Sequence, residues 1–201
     1  LFSTIPGVRV IIIAGNHDRI RLSSAVLSFS WCPNVTFIDS EELTSYYFRD
    51  INTEVTGFSY HTAEITEPRL NQAYAPHDGR IHILIGHGGD LNHTPIDKAA
   101  LADSGFSYIA LGHIHKPEVL IERKMAYCGS PEPLDKTETG AHGIFYREIN
   151  PSTLLVTKLE FIPMSKLRYI PLIVNVTPAT TNTELCLKMS HEIEKRGTDN
   201  I

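Results

Sequence analysis

The chain has 201 residues, 42% of them hydrophobic, with a formal net charge of −5 and a sequence pI near 6.0. That is enough apolar material for a buried core in one or two domains, and the acidic balance excludes a surface-wide basic coat while leaving room for a local basic groove. The longest apolar run, Val10–Ala14, is far too short to span a bilayer, and no signal-peptide pattern opens the chain.

In chain order, Val8–Ala14 is a β-branched run that reads as a strand covered on both faces. A helix is expected around residues 22–31, then a short strand at Val35–Ile38. Period-two character in Leu43–Arg49 and Thr53–Ser59 predicts a hairpin around residues 50–52. Ile81–Ile85 reads as a buried strand. After it, Thr94 as N-cap, Pro95 in the first turn and Gly105 as the stop predict a helix. Ser107–Leu111 returns to the sheet. From residue 118 only strands are expected: Val119–Ile121 with Met125–Cys128, and Gly143–Ile149 with Leu154–Phe161. The composition shifts near Pro163–Lys166. A strand at Tyr169–Val176 and a helix opened by a Thr181-x-x-Glu184 capping box follow, with Leu185, Met189 and Ile193 on one stripe. The expected division is residues 1–165 and 166–201. The chain enters a core strand within a few residues of Leu1, and its last helical pattern stops at Arg196-Gly197. We therefore expect a piece of a longer protein, with a second domain only begun. Cys32, Cys128 and Cys186 are odd in number and lack CxxC spacing, which suggests buried or idle thiols in a reducing, cytoplasmic setting.

Three segments carry chemistry: VIIIAGNHD (Val10–Asp18), IHILIGHGGD (Ile81–Asp90) and YIALGHIHKPE (Tyr108–Glu118). Each is an apolar strand, then a Gly, then a His at once or one residue later. Parallel strands bring their carboxyl ends to one rim, where such sheets bind ligands. Asn16, His17, His87, His113 and His115 are thus expected together. Imidazole nitrogens and an amide oxygen suit Mn, Fe, Zn or Co. Two residues apart in an extended segment, His113 and His115 would face one site and serve one or two ions. Two ions about 3.5–4 Å apart can clamp a phosphate and make hydroxide from water. The remaining histidines, His61, His77, His82, His93, His142 and His191, are read as structural.

GNHD, GHGG and GHIH resemble the third, fourth and fifth motifs of the calcineurin-like metallophosphoesterases. The run from Tyr108 to Gly143 resembles the bacterial SbcD-like DNA-repair exonucleases. The resemblance implies an α/β fold, a partial αββα sandwich followed by the start of a small α+β capping domain. It implies a phosphodiesterase, exonuclease or endonuclease, with two divalent ions, Mn first and Fe, Zn or Co as alternatives. Asn16, His87 and His113 would ligate one ion and His115 the other. His17 would stabilise the transition state or protonate the leaving oxygen, with Asp18 holding its imidazole. DNA, an SbcC-type coiled-coil ATPase and a second copy of the chain are the implied partners, with no membrane. An Asp-x-His and a Gly-Asp-x-x-Asp motif, which would supply a bridging carboxylate, are expected before residue 1, so the 201 residues alone are expected to be inactive. The alternatives are a phosphatase or phosphodiesterase for nucleotides or phosphoproteins, and a non-catalytic nucleic-acid-binding module.

Overall fold

A computed structural model describes residues 2–196. Its centre is a mixed six-stranded sheet in the order β3-β4-β5-β6-β8-β7, formed by Thr44–Phe48 (β3), Thr53–Gly57 (β4), Ile81–His87 (β5), Tyr108–Gly112 (β6), Glu118–Ile121 (β7) and Met125–Tyr127 (β8). The middle strands β4, β5, β6 and β8 run parallel, and antiparallel hairpins close both edges. The largely apolar sequences of β5 and β6 follow from burial on both faces, with His82 the buried polar exception in β5. Leu84, Ile109, Leu111 and Met125 from the sheet meet Phe58, Tyr60, Leu70, Leu101 and Phe106 in one core. The class is mixed α/β with a multi-strand central sheet, as expected.

Val10–Ile13 (β1) and Val35–Ile38 (β2) form a separate parallel pair. β1 is half-buried along its length rather than covered on both faces, and among the described residues it pairs on one side only. Ser59 and Tyr60, just beyond β4, tie this pair to the main sheet. The Ser59 hydroxyl accepts from Ala14 N at 2.9 Å and donates to Ile38 O, and Tyr60 N donates to Ala14 O at 3.0 Å. This stitching fixes where the exit of β1 lies. A second hairpin, Gly143–Ile149 (β9) with Val156–Pro163 (β10), alternates in burial as its sequence does.

Two helical expectations change. The helix around residues 22–31 is a single turn, Ala25–Ser28 (α1). The next helix starts later than expected, at Lys98–Ala102 (α2). Its N-cap is Asp97, whose carboxylate accepts from Ala99 N and Ala100 N. Thr94 is instead fully buried at φ 44°, with its hydroxyl 2.7 Å from that of Tyr60. The final helix, Asn182–Arg196 (α3), forms with the expected capping box: Thr181 N donates to Glu184 Oε2 at 2.8 Å, and Glu184 N to Thr181 Oγ1 at 3.3 Å. Tyr169–Val176 forms no strand; Tyr169 makes only an isolated bridge to Thr139. The three cysteines are unpaired, and Cys128 and Cys186 are exposed rather than buried. No helix among the described residues is long and apolar enough to cross a membrane.

Candidate metal centre

The rim forms where β1, β5 and β6 end. β5 closes on His87, which is in register with Gly112, the last residue of β6, so His113 follows beside it. Residues 14–16 arrive from β1. His87 Nε2 lies 2.8 Å from Asn16 Oδ1 and 3.3 Å from His113 Nδ1. The close approach depends on Gly15, where a Cβ would sit 2.5 Å from the His87 ring. The Gly before the polar pair is therefore a packing requirement of the site, not only a turn signal.

The surrounding groups hold this geometry. The Tyr60 hydroxyl donates to His87 O at 3.0 Å, and the Tyr127 hydroxyl donates to Gly88 O at 2.9 Å. Burial pushes the Tyr127 hydroxyl up to about 12, so it stays a neutral donor. Burial first, and the neighbouring His113 next, push His87 down to about 4. Its imidazole is then uncharged at neutral pH and has a lone pair to give. His113 itself has φ 95°, a left-handed conformation that costs roughly 1–3 kcal/mol and concentrates at functional sites.

A divalent transition metal fits these donors. With metal–ligand bonds of about 2.1 Å, ligand atoms at tetrahedral or octahedral angles are roughly 3.0–3.4 Å apart. The 3.3 Å spacing of His87 Nε2 and His113 Nδ1 falls within that separation, and the 2.8 Å spacing of Asn16 Oδ1 and His87 Nε2 lies just below it. The set is also chemically right: two imidazoles and an amide oxygen.

The other expected residues are placed differently. The positive φ at His113 means that Gly112–His115 is not extended, and His113 and His115 do not share partners. His115 Nδ1 is 2.5 Å from Glu138 Oε1, and its side chain is 43% exposed. His17 and Asp18 are both exposed next to Asn16. The Asp18 carboxylate accepts from Gly15 N at 2.7 Å, so the hydrogen bond it makes fastens the turn of the chain rather than the His17 ring. Arg19 Nη1 donates to Asn16 O at 3.2 Å and brings a cation to the same rim.

Three further residues stand at the rim, and one of them, His93, corrects the expectation that it is structural. Asp90 Oδ2 is 2.8 Å from His113 Nε2, and both Asp90 oxygens lie 2.9 Å from His93 Nδ1. Asp90, His93 and His113 can also offer three ligand atoms within 4.8 Å of one another. Burial would raise the Asp90 carboxyl, but hydrogen bonds from His113, His93 and Asn92 N override it and hold it far below the ordinary carboxylate range. Glu138 is the third. Asp90 followed three residues later by His93 was the one available signal, since Asp readily folds the next residues around its own side chain. For Glu138 no signal existed. His82 is buried at the far end of β5, near Asp78, whereas His142 is buried behind Glu138, with its Nδ1 2.9 Å from the Ser130 hydroxyl that donates to Glu138. A cavity of about 600 Å³ lies at the opposite end of the sheet beside Arg80 and Lys124 and contains none of the rim residues.

The sequence matches the family model of the calcineurin-like phosphoesterases over residues 1–117, a span that ends just beyond His115. It is also 31% identical over 150 residues to the uncharacterized metallophosphoesterase YhaO of Bacillus subtilis, a match covering 69% of this chain and 36% of that protein. The chain thus spans little more than a third of the length of the curated relative it matches. The rim geometry and both matches agree: this chain belongs to the calcineurin-like phosphoesterase family, whose members hydrolyse phosphoesters with bound metal ions.

Proposed function

We propose that the protein is a metal-dependent phosphodiesterase of SbcD-like type that cleaves DNA with two divalent ions, manganese foremost. The observation that carries the hydrolytic reading is the convergence of Asn16 Oδ1, His87 Nε2 and His113 Nδ1. His115 would serve the second ion. Bound ions would polarise the phosphoryl oxygens and make hydroxide available. The chain's own contribution is to place donors, charge and a proton. Asn16 and His87 are pinned by Gly15, Tyr60 and the β5–β6 register. His17, exposed and adjacent to Asn16, is free to give a proton to a leaving oxygen. Arg19, bonded to Asn16 O, and the exposed Lys116, which follows His115, add positive charge suited to a polyanionic backbone in an otherwise acidic protein.

Two features favour DNA over a small phosphoester. The rim is open, with His17, Asp18 and Lys116 exposed and His115 half so. The chain continues past β10 into residues 166–201, which we assign to the beginning of a capping, DNA-recognition domain. An SbcC-type coiled-coil ATPase and a second copy of the chain would be the protein partners, in a cytoplasmic setting.

The test compares linear double-stranded DNA with a small phosphodiester as substrates of the intact protein in manganese, for wild type and His17→Ala. DNA cleavage is expected, reduced by about 100- to 10,000-fold in the variant with metal content unchanged. Turnover of the small diester alone would favour a nucleotide phosphodiesterase. Metal lost together with activity would make His17 a ligand.

A further inference from the structure

Each histidine of Gly112-His113-Ile114-His115 has one ring nitrogen against a carboxylate, and the two nitrogens are different. His113 presents Nε2 to Asp90 Oδ2 at 2.8 Å, and His115 presents Nδ1 to Glu138 Oε1 at 2.5 Å. A carboxylate only accepts, so the facing nitrogen must carry the hydrogen, and in a neutral imidazole the other nitrogen then holds the lone pair. We propose that Asp90 and Glu138 are positioning residues that fix which nitrogen each histidine gives to metal: Nδ1 of His113 and Nε2 of His115.

The free nitrogen of His113 supports this directly. Its Nδ1 faces His87 Nε2 at 3.3 Å, on the side where Asn16 Oδ1 lies. In the other tautomer Nδ1 would carry the hydrogen, and the lone pair would point at Asp90 and away from the other donors. Both carboxylates are themselves held. Asp90 Oδ1 accepts from Asn92 N at 2.8 Å and His93 N at 2.9 Å, and His93 Nδ1 braces it further. Glu138 accepts from Leu134 N at 3.0 Å and the Ser130 hydroxyl at 3.3 Å, with its side chain only 16% exposed. A carboxylate tied down from the far side cannot turn away from its histidine, which is what an orienting partner requires. The two come from separate loops, one after β5 and one between β8 and β9, so each can be removed without the other.

Asp90 and His93 could instead be ligands themselves, together with His113. The orienting role is favoured because Asn92 N, His93 N and His93 Nδ1 already hold both oxygens of Asp90, and because ligation through His113 Nε2 would leave Nδ1, the nitrogen that faces His87 Nε2, outside the site.

This inference rests on the metal-centre reading above, and manganese binding separates the two. In the intact protein, titration and anomalous diffraction at the manganese edge would report each ion for wild type, Asp90→Ala, Asp90→Asn, Glu138→Ala and Glu138→Gln. Glu138→Ala should weaken the ion at His115 by about 10- to 100-fold and leave the one at Asn16, His87 and His113. Asp90→Ala should do the reverse. The amide variants keep the packing and one accepting oxygen, so each should weaken the same ion by a smaller factor, and they decide the matter where an alanine variant unfolds. Wild-type affinity at both ions in all four variants would overturn the inference alone. A further ion held by Asp90 and His93 would overturn it in favour of a ligand role. A wild type without an ion at His113 or His115 would overturn the metal-centre reading and the inference together.

Discussion

At the scale of single residues, the centre depends on atoms approaching closer than ordinary side chains permit. Gly15 is the clearest case. Its absent Cβ lies where the His87 ring passes, and that ring is pinned by Asn16 and His113 rather than free to swing. Gly15→Ala should cost about 1–3 kcal/mol in unfolding free energy and, by displacing His87, weaken metal binding. Chemical denaturation and metal titration on one preparation check both; full metal affinity in a folded variant would show that the ring relocates without consequence. Asn16, His87 and His113 were legible in the sequence because a strand, a Gly and a polar donor recur three times. Asp90 and His93 left only their local Asp-x-x-His spacing and Glu138 left nothing, since loops bring them in and loop paths leave no periodic trace. Asp18 was legible as a polar residue but not as a partner of Gly15 N.

Among the elements, strands were read more faithfully than helices. The hairpins β3–β4, β7–β8 and β9–β10 followed from alternation flanked by turn residues, and Asn150 illustrates why: its side chain accepts from Ser152 N and Thr153 N and closes the β9–β10 turn. The start of α2 was misplaced because Thr94-Pro95 is a strong local N-cap signal, yet burial against Tyr60 overrides it. Asp97 takes the cap instead. The two residues should therefore separate in experiment. Asp97→Ala is expected to cost about 1 kcal/mol without touching metal affinity. Thr94→Ala removes a buried partner of Tyr60, whose hydroxyl also donates to His87 O, and should cost about 1–2 kcal/mol while weakening metal binding. Equal metal affinity in both variants would contradict this division. Tyr169–Val176 failed as a strand for a different reason. Alternation predicts a ladder only where a partner strand is available, and among the described residues none lies beside it.

Over the whole molecule, parallel strands in the middle of the sheet and a stitched-on β1–β2 pair bring the ends of three distant segments to one rim, more than 95 residues apart along the chain from Asn16 to His113. That convergence was legible as soon as β1, β5 and β6 were taken as parallel. The sheet order and the separation of β1–β2 from the main sheet were not, because both are set by contacts such as Ser59 with Ile38 rather than by local pattern. The most direct test is diffraction at the manganese edge from crystals of the intact protein soaked in manganese. An anomalous peak roughly 2.0–2.2 Å from Asn16 Oδ1, His87 Nε2 and His113 Nδ1 is the expected result. A peak confined to Asp90 and His93, or no peak at this rim from a preparation that hydrolyses phosphodiesters in manganese, would contradict it.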